Sequence, residues 1–165
     1  MKIAKKILIG LGVLFLLCQF YRSPRNQSPA PVTRGIANQY PVPPEIDAML
    51  RASCYDCHSD NTVYPWYNNF QPVSYWLNDH IESGKRHLNF DQFMELSPRR
   101  QYQRIGDIAE QVRDDEMPIT SYTLIHRYAI LSDAQKSQLI RWSDAMRDTM
   151  KARYPVDSLA SLKRR

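Results

Sequence analysis

Between Pro44 and Met150, apolar residues recur at intervals of three and four, and no stretch alternates with period two long enough to make a sheet. The first amphipathic run opens at Pro44, which suits a first helical turn, and places Ile46, Met49 and Leu50 on one face. A second starts near Pro72, lines up Val73, Trp76, Leu77, His80 and Ile81, and is expected to stop at Gly84. Ser97-Pro98 opens a third, with Tyr102, Ile105, Ile108, Ala109 and Val112 facing inward. Ser132 and Gln135 have capping-box spacing at the head of a fourth, whose buried face would be Leu139, Trp142 or Ser143, Met146 and Met150. The pattern predicts one all-α domain over residues 44–150, within the usual size range of a single core.

The flanks read differently. Lys2, Lys5 and Lys6 precede an uncharged apolar run from Ile7 to Cys18, so residues 1–21 have the form of a secretory signal peptide or signal anchor. No small-x-small cleavage pattern follows, which favours a retained anchor. Leu16 and Leu17 make Cys18 a poor lipidation site. The basic start would stay in the cytoplasm and the rest would leave it, although the run is shorter than the roughly 20 residues of a comfortable span. Residues 22–43 are rich in proline, with Pro24, Pro29, Pro31, Pro41 and Pro43, and predict a semi-extended linker reaching up to roughly 60 Å. Residues 151–165 form a basic tail ending Lys163-Arg164-Arg165.

Charge follows this division. Residues 1–41 carry six basic and no acidic side chains, residues 42–150 carry 11 basic and 16 acidic, and residues 151–165 carry five basic and one acidic. The formal net charge of +5 therefore belongs to the ends, and the domain itself is acidic. No nucleic-acid partner is expected.

Residues 54–58 read Cys-Tyr-Asp-Cys-His. Two thiols three positions apart, with an imidazole directly after the second, is the attachment pattern of haem c. On a helical turn both sulfurs reach the vinyl groups along one porphyrin edge, while His58 passes beneath the ring and ligates iron. A thioredoxin-like redox pair shares the thiol spacing but normally follows a buried strand, and none precedes Cys54. A structural zinc site needs a second ligand pair, whereas His80, His87 and His126 stand singly. A disulfide leaves His58 unexplained. Export agrees with the haem reading. With Cys54 and Cys57 committed, only Cys18 remains, so the domain has no structural disulfide to form.

The second axial position decides what the iron does. Met117-Pro118, between the third and fourth helices, is the leading candidate, because a loop can swing a thioether towards the ring and sulfur favours ferrous iron. His80, on the apolar face of the second helix, is the rival ligand. His126 and His87 are weaker. Tyr55, Tyr64, Trp66, Tyr67, Phe70, Tyr75 and Trp76 crowd the region after the motif. Such rings can wall a flat apolar cofactor, with Trp66, Tyr67 or Arg86 bonding its carboxylates, or simply pack a small core.

Residues 54–90, CYDCHSDNTVYPWYNNFQPVSYWLNDHIESGKRHLNF, with EMPITSYTLIHRYAILS at 116–132, resemble the bacterial haem-binding domain family, small exported proteins related to class I cytochromes c. The resemblance spans roughly Pro44 to Met150. It implies a cytochrome-c-like helical fold around one covalent haem, with Cys54 and Cys57 as thioether residues and His58 as proximal ligand. The family pattern also matches at His80, Gly84, Asn89, Met117 and Tyr122, and supplies no substrate. The chain departs from it at Ile119, where a small residue or proline is more usual.

Together these readings predict a mono-haem electron carrier, not an enzyme, tethered by its N-terminal segment to the periplasmic face of the cytoplasmic membrane. It would exchange electrons with redox proteins there. A gas- or redox-sensing haem module, or a peroxidase-like site with a labile sixth ligand and His80 as acid–base group, are the alternatives.

Overall fold

The computed structural model describes residues 2–159, so Lys163-Arg164-Arg165 lie outside the described residues. Helix α1 spans Lys2–Cys18, α2 Pro44–Ser53, α3 Tyr55–His58, α4 Val73–His87, α5 Pro98–Arg113, α6 Thr120–Thr123, α7 Asp133–Arg153 and α8 Val156–Leu159. Short 3-10 turns lie between them. Among the described residues there is no strand, and an isolated bridge pairs Gln27 with Asn61.

Helices α5 and α7 pack against each other, and α2 packs on α7. The contact faces are those the periodicity selects. Ile105, Ile108, Ala109 and Val112 are buried on α5, and Leu139, Trp142, Ser143, Met146 and Met150 on α7. On α2 they are Ile46, Met49 and Leu50. Pro44 occupies the first turn of α2, where its missing N–H costs nothing. At the head of α7 the Gln135 N–H donates to Ser132 Oγ at 3.3 Å and the Ser132 N–H donates to Gln135 Oε1 at 2.9 Å, so the capping box forms.

Helix α4 departs from expectation twice. It runs on through Gly84 to His87, and its buried stripe is Ser74, Leu77 and Ile81, leaving Val73 and Trp76 at the surface. The reason is a close approach: a Cβ built on Gly84 would lie 2.7 Å from the Cys57 carbonyl oxygen. Gly84 is therefore the contact that lets α4 press on α3, and not a helix stop.

Within the proline-rich segment, expected as a semi-extended linker, Asn26, Ile36 and Tyr40 make contacts with the helical domain. Asn26 Nδ2 donates to the Ser59 carbonyl at 2.8 Å and to Thr62 Oγ1 at 2.9 Å, and Lys85 Nζ donates to Asn26 Oδ1 at 2.6 Å. Further along, the Ile36 N–H donates to the Phe90 carbonyl at 2.9 Å, and the Tyr40 hydroxyl donates to Gln101 Oε1 at 2.8 Å. Ile36 and Tyr40 are buried in the core beside Phe90 and Phe93. Proline keeps this segment extended, yet two large apolar side chains suffice to seat it.

At the other end, Leu159 on α8 is buried in the core and Tyr154 packs against it, within the expected tail. The side chains of α1 are exposed throughout. Among the described residues no helix is long and apolar enough to cross a membrane.

Candidate functional site

Helix α2 ends by presenting Cys54, whose N–H donates to the Leu50 carbonyl at 2.8 Å. The chain then makes the single turn α3, with the Cys57 and His58 N–H groups both donating to the Cys54 carbonyl at 3.1 and 3.0 Å. Both thiols and the imidazole thereby reach one cavity of about 520 Å³. One wall is α3 with α4, contributing Cys54, Cys57, His58, His80, Gly84 and His87. Facing it are α5, with Arg104, Asp107, Ile108 and Gln111, then Met117–Ile119 and Tyr122. The two ligand candidates named from the sequence, Met117 and His80, thus both line it.

His58 is oriented from behind. Its Nδ1 lies 2.9 Å from the Leu88 carbonyl oxygen. A carbonyl can only accept, so Nδ1 carries the proton and Nε2 is left with a bare lone pair. Burial lowers the His58 pKa, which keeps the ring neutral and fit to ligate a metal. His80 Nδ1 is likewise bonded, to the Trp76 carbonyl one turn back on its own helix, at 2.9 Å. Its Nε2 is also bare.

Burial pushes the Cys54 thiol up to about 12, with the neighbouring Cys57 adding to it, and the Cys57 thiol up to about 11, with Asp56 adding. Both stay protonated at neutral pH, which is opposite to what a thioredoxin-like nucleophile needs. Neither is in a disulfide. Among the described residues, no three His, Cys, Asp or Glu side chains converge to hold a metal ion such as zinc.

Asp56, inside the motif, is a hub that the sequence did not flag. Its Oδ1 accepts from the Val63 N–H at 3.0 Å and its Oδ2 from the Tyr122 hydroxyl at 2.7 Å. Its backbone carbonyl accepts from the Thr62 hydroxyl at 2.6 Å. The Tyr122 bond ties the segment after Met117 across to the motif turn. Burial, then the bonds to Tyr128 and Asp56, raise the Tyr122 pKa well above the ordinary phenol, so it remains a donor.

The aromatic candidates fare differently. Trp66 is 75% exposed and outside the cavity. Tyr67 is also outside it, with its hydroxyl 2.6 Å from His126 Nε2. His126 Nδ1 lies 2.9 Å from the Tyr128 hydroxyl, so both ring nitrogens are engaged and neither is free for iron. Arg86 is exposed and does not line the cavity. The guanidinium that does is Arg104, paired with Asp107 at 2.8 Å, and nothing in its surroundings along the chain singles it out. Leu88, whose carbonyl orients His58, is equally silent, because only its backbone acts.

An apolar cavity of this size, with a bare imidazole nitrogen on one wall and two neutral thiols beside it, fits a flat iron porphyrin. No curated protein and no solved structure matches the chain. The model of the haem-binding domain family matches residues 13–145, and the chain belongs to that family.

Proposed function

We propose that this haem-binding domain carries its haem covalently, as haem c, and passes single electrons at a membrane surface. The carrying observation is the placement of Cys54, Cys57 and a pre-oriented His58 on one wall of a single cavity. Cys54 and Cys57 would hold the haem through thioether bonds, each formed by adding S–H across one vinyl group, and His58 Nε2 would ligate its iron. Bound haem would supply a one-electron couple without bond making. The chain does the rest: it excludes water, fixes the imidazole through Leu88, and sets the second axial contact.

Met117 is the second ligand in this reading. His80 sits on α4, the helix whose Gly84 packs on Cys57 and which leads into Leu88, so it shares the wall of His58. Met117 lines the same cavity from the segment after α5, on a different element from His58, and would hold the iron's second position if haem is bound. Replacing Met117 with Ala should abolish the weak long-wavelength sulfur–iron band of the oxidised protein and lower the reduction potential. An unchanged spectrum and potential would remove Met117. The bare Nε2 of His80 favours a second reading, a labile site of sensor or peroxidase type. Rapid carbon monoxide binding by the reduced protein, or turnover of peroxide, would favour it.

Helix α1, uncharged from Ile7 to Cys18, is the membrane-inserted segment in this account, with Lys2, Lys5 and Lys6 on the cytoplasmic side. The domain then stands on the periplasmic face of the cytoplasmic membrane, where its acidic surface would meet basic redox partners.

A further inference from the structure

Helix α1 meets the domain at a built joint. Gln19 Nε2 donates to the Gln71 carbonyl at 3.2 Å and the Gln71 N–H donates back to Gln19 Oε1 at 2.9 Å. Gln71 is itself buried, and its Nε2 donates to the Tyr21 carbonyl at 3.0 Å. The Tyr21 ring stands edge-on to Tyr75 at 6.1 Å. Around this joint lies an unusual surface. Residues 61–78 contain no charged side chain, and Trp66, Phe70, Tyr75 and Trp76 are all exposed there, Trp66 packing edge-on to Phe70 at 6.1 Å. Large exposed apolar patches mark a surface that is covered in use. Two cations reach this surface, Arg22 donating to the Asn69 carbonyl at 3.4 Å and Arg25 to Asn69 Oδ1 at 3.5 Å.

We propose that this aromatic face lies in the headgroup region of a phospholipid bilayer, beside the point where α1 leaves it. The inference rests on the reading of α1 as the membrane-inserted segment. Amphipathic aromatic rings favour the membrane–water boundary, and arginines beside them pair with lipid phosphates. The arrangement also answers the shortness of α1, whose 17 residues span about 25 Å against a hydrocarbon core of about 30 Å. The rings beyond its end continue the apolar surface. The domain is then seated and not swung on a leash. Trp76 packs tilted against His80, with ring centroids 4.1 Å apart, so the His80 edge of the cavity is held close to the bilayer at a fixed height.

The test uses the full-length, haem-loaded protein in vesicles of phosphatidylethanolamine and phosphatidylglycerol carrying a photoactivatable lipid with its diazirine near the glycerol. Adducts are mapped by peptide mass spectrometry. The expected result is labelling of α1 and of residues 63–76, several-fold above the exposed α7 residues Arg141 and Asp144. Labelling of α1 alone overturns the proposal and leaves the face for a protein partner. Absence of label from α1 overturns the membrane reading itself, and the proposal with it. In the variant Trp66→Ser/Phe70→Ser, both changes being at the surface, labelling of 63–76 should fall several-fold while α1 keeps its own. Unchanged labelling of 63–76 also overturns the proposal.

Discussion

The two walls of the cavity are held by different means. On the α3–α4 side the contacts are many and close: the Gly84 backbone against the Cys57 carbonyl, the His58 imidazole on the Leu88 carbonyl, and the Asn26 side chain bonded to Ser59, Thr62 and Lys85. On the facing side, the segment bearing Met117 hangs from α5 by the Glu116 and Met117 N–H groups, which share the Gln111 carbonyl at 3.0 and 3.1 Å. It is further tied by the Tyr122–Asp56 bond and by the Lys136–Asp115 ion pair at 2.5 Å. Asp115 there adopts a left-handed backbone, with φ 58°. A wall held by many close contacts has one geometry. A wall held by a few bonds can yield. The difference suits the proposed reading, in which covalent attachment fixes the haem on one side and the contact from the other side can adjust.

Substitutions that break the rigid wall should cost most. Gly84→Val forces a side chain into the Cys57 carbonyl, and overpacking of this kind should destabilise the fold by about 3 kcal/mol. Thermal unfolding should show the loss, and haem incorporation should fall with it. Asn26→Ala removes three side-chain hydrogen bonds and leaves the Lys85 ammonium with fewer partners, for about 2 kcal/mol by denaturant titration. Tyr122→Phe removes one bond across the cavity, about 1 kcal/mol. It should weaken the proposed sulfur–iron band more than it lowers the melting temperature, which the Asn26 change should not do.

Acid should act on the rigid wall as well, but mildly. Burial raises the Asp60 pKa, yet hydrogen bonds from Asn89, Lys85 and Gln92 outweigh it and hold the carboxyl below its ordinary value. The unfolded chain therefore binds that proton first as pH falls. Asp60 adds stability above the ordinary carboxylate range and loses it as pH drops through the lower folded value. Asp60→Asn should flatten this part of the stability profile, while Lys136→Ala, at an exposed pair, should leave stability nearly unchanged.

What could be read from the chain alone was whatever depends on spacing. The buried faces of α2, α5 and α7 follow from intervals of three and four, and the Cys54–Cys57–His58 constellation from its own register. Contacts between distant segments left no such trace. A proline-rich stretch reports an extended backbone but not where it lies, so the seat of Ile36 and Tyr40 was hidden. A glycine within a helix reads as a stop until the carbonyl against it is seen, as at Gly84. Aromatic density around Trp66 and Tyr67 carries no direction, and neither ring lines the cavity that Arg104, Asp56 and Leu88 serve.

The most direct measurement is the intact mass of the purified protein after denaturation and acid extraction of free haem. The account predicts a polypeptide heavier by one haem, with no unmodified chain at Cys54 and Cys57. A chain of apoprotein mass, with its haem recovered in the extract, would contradict it.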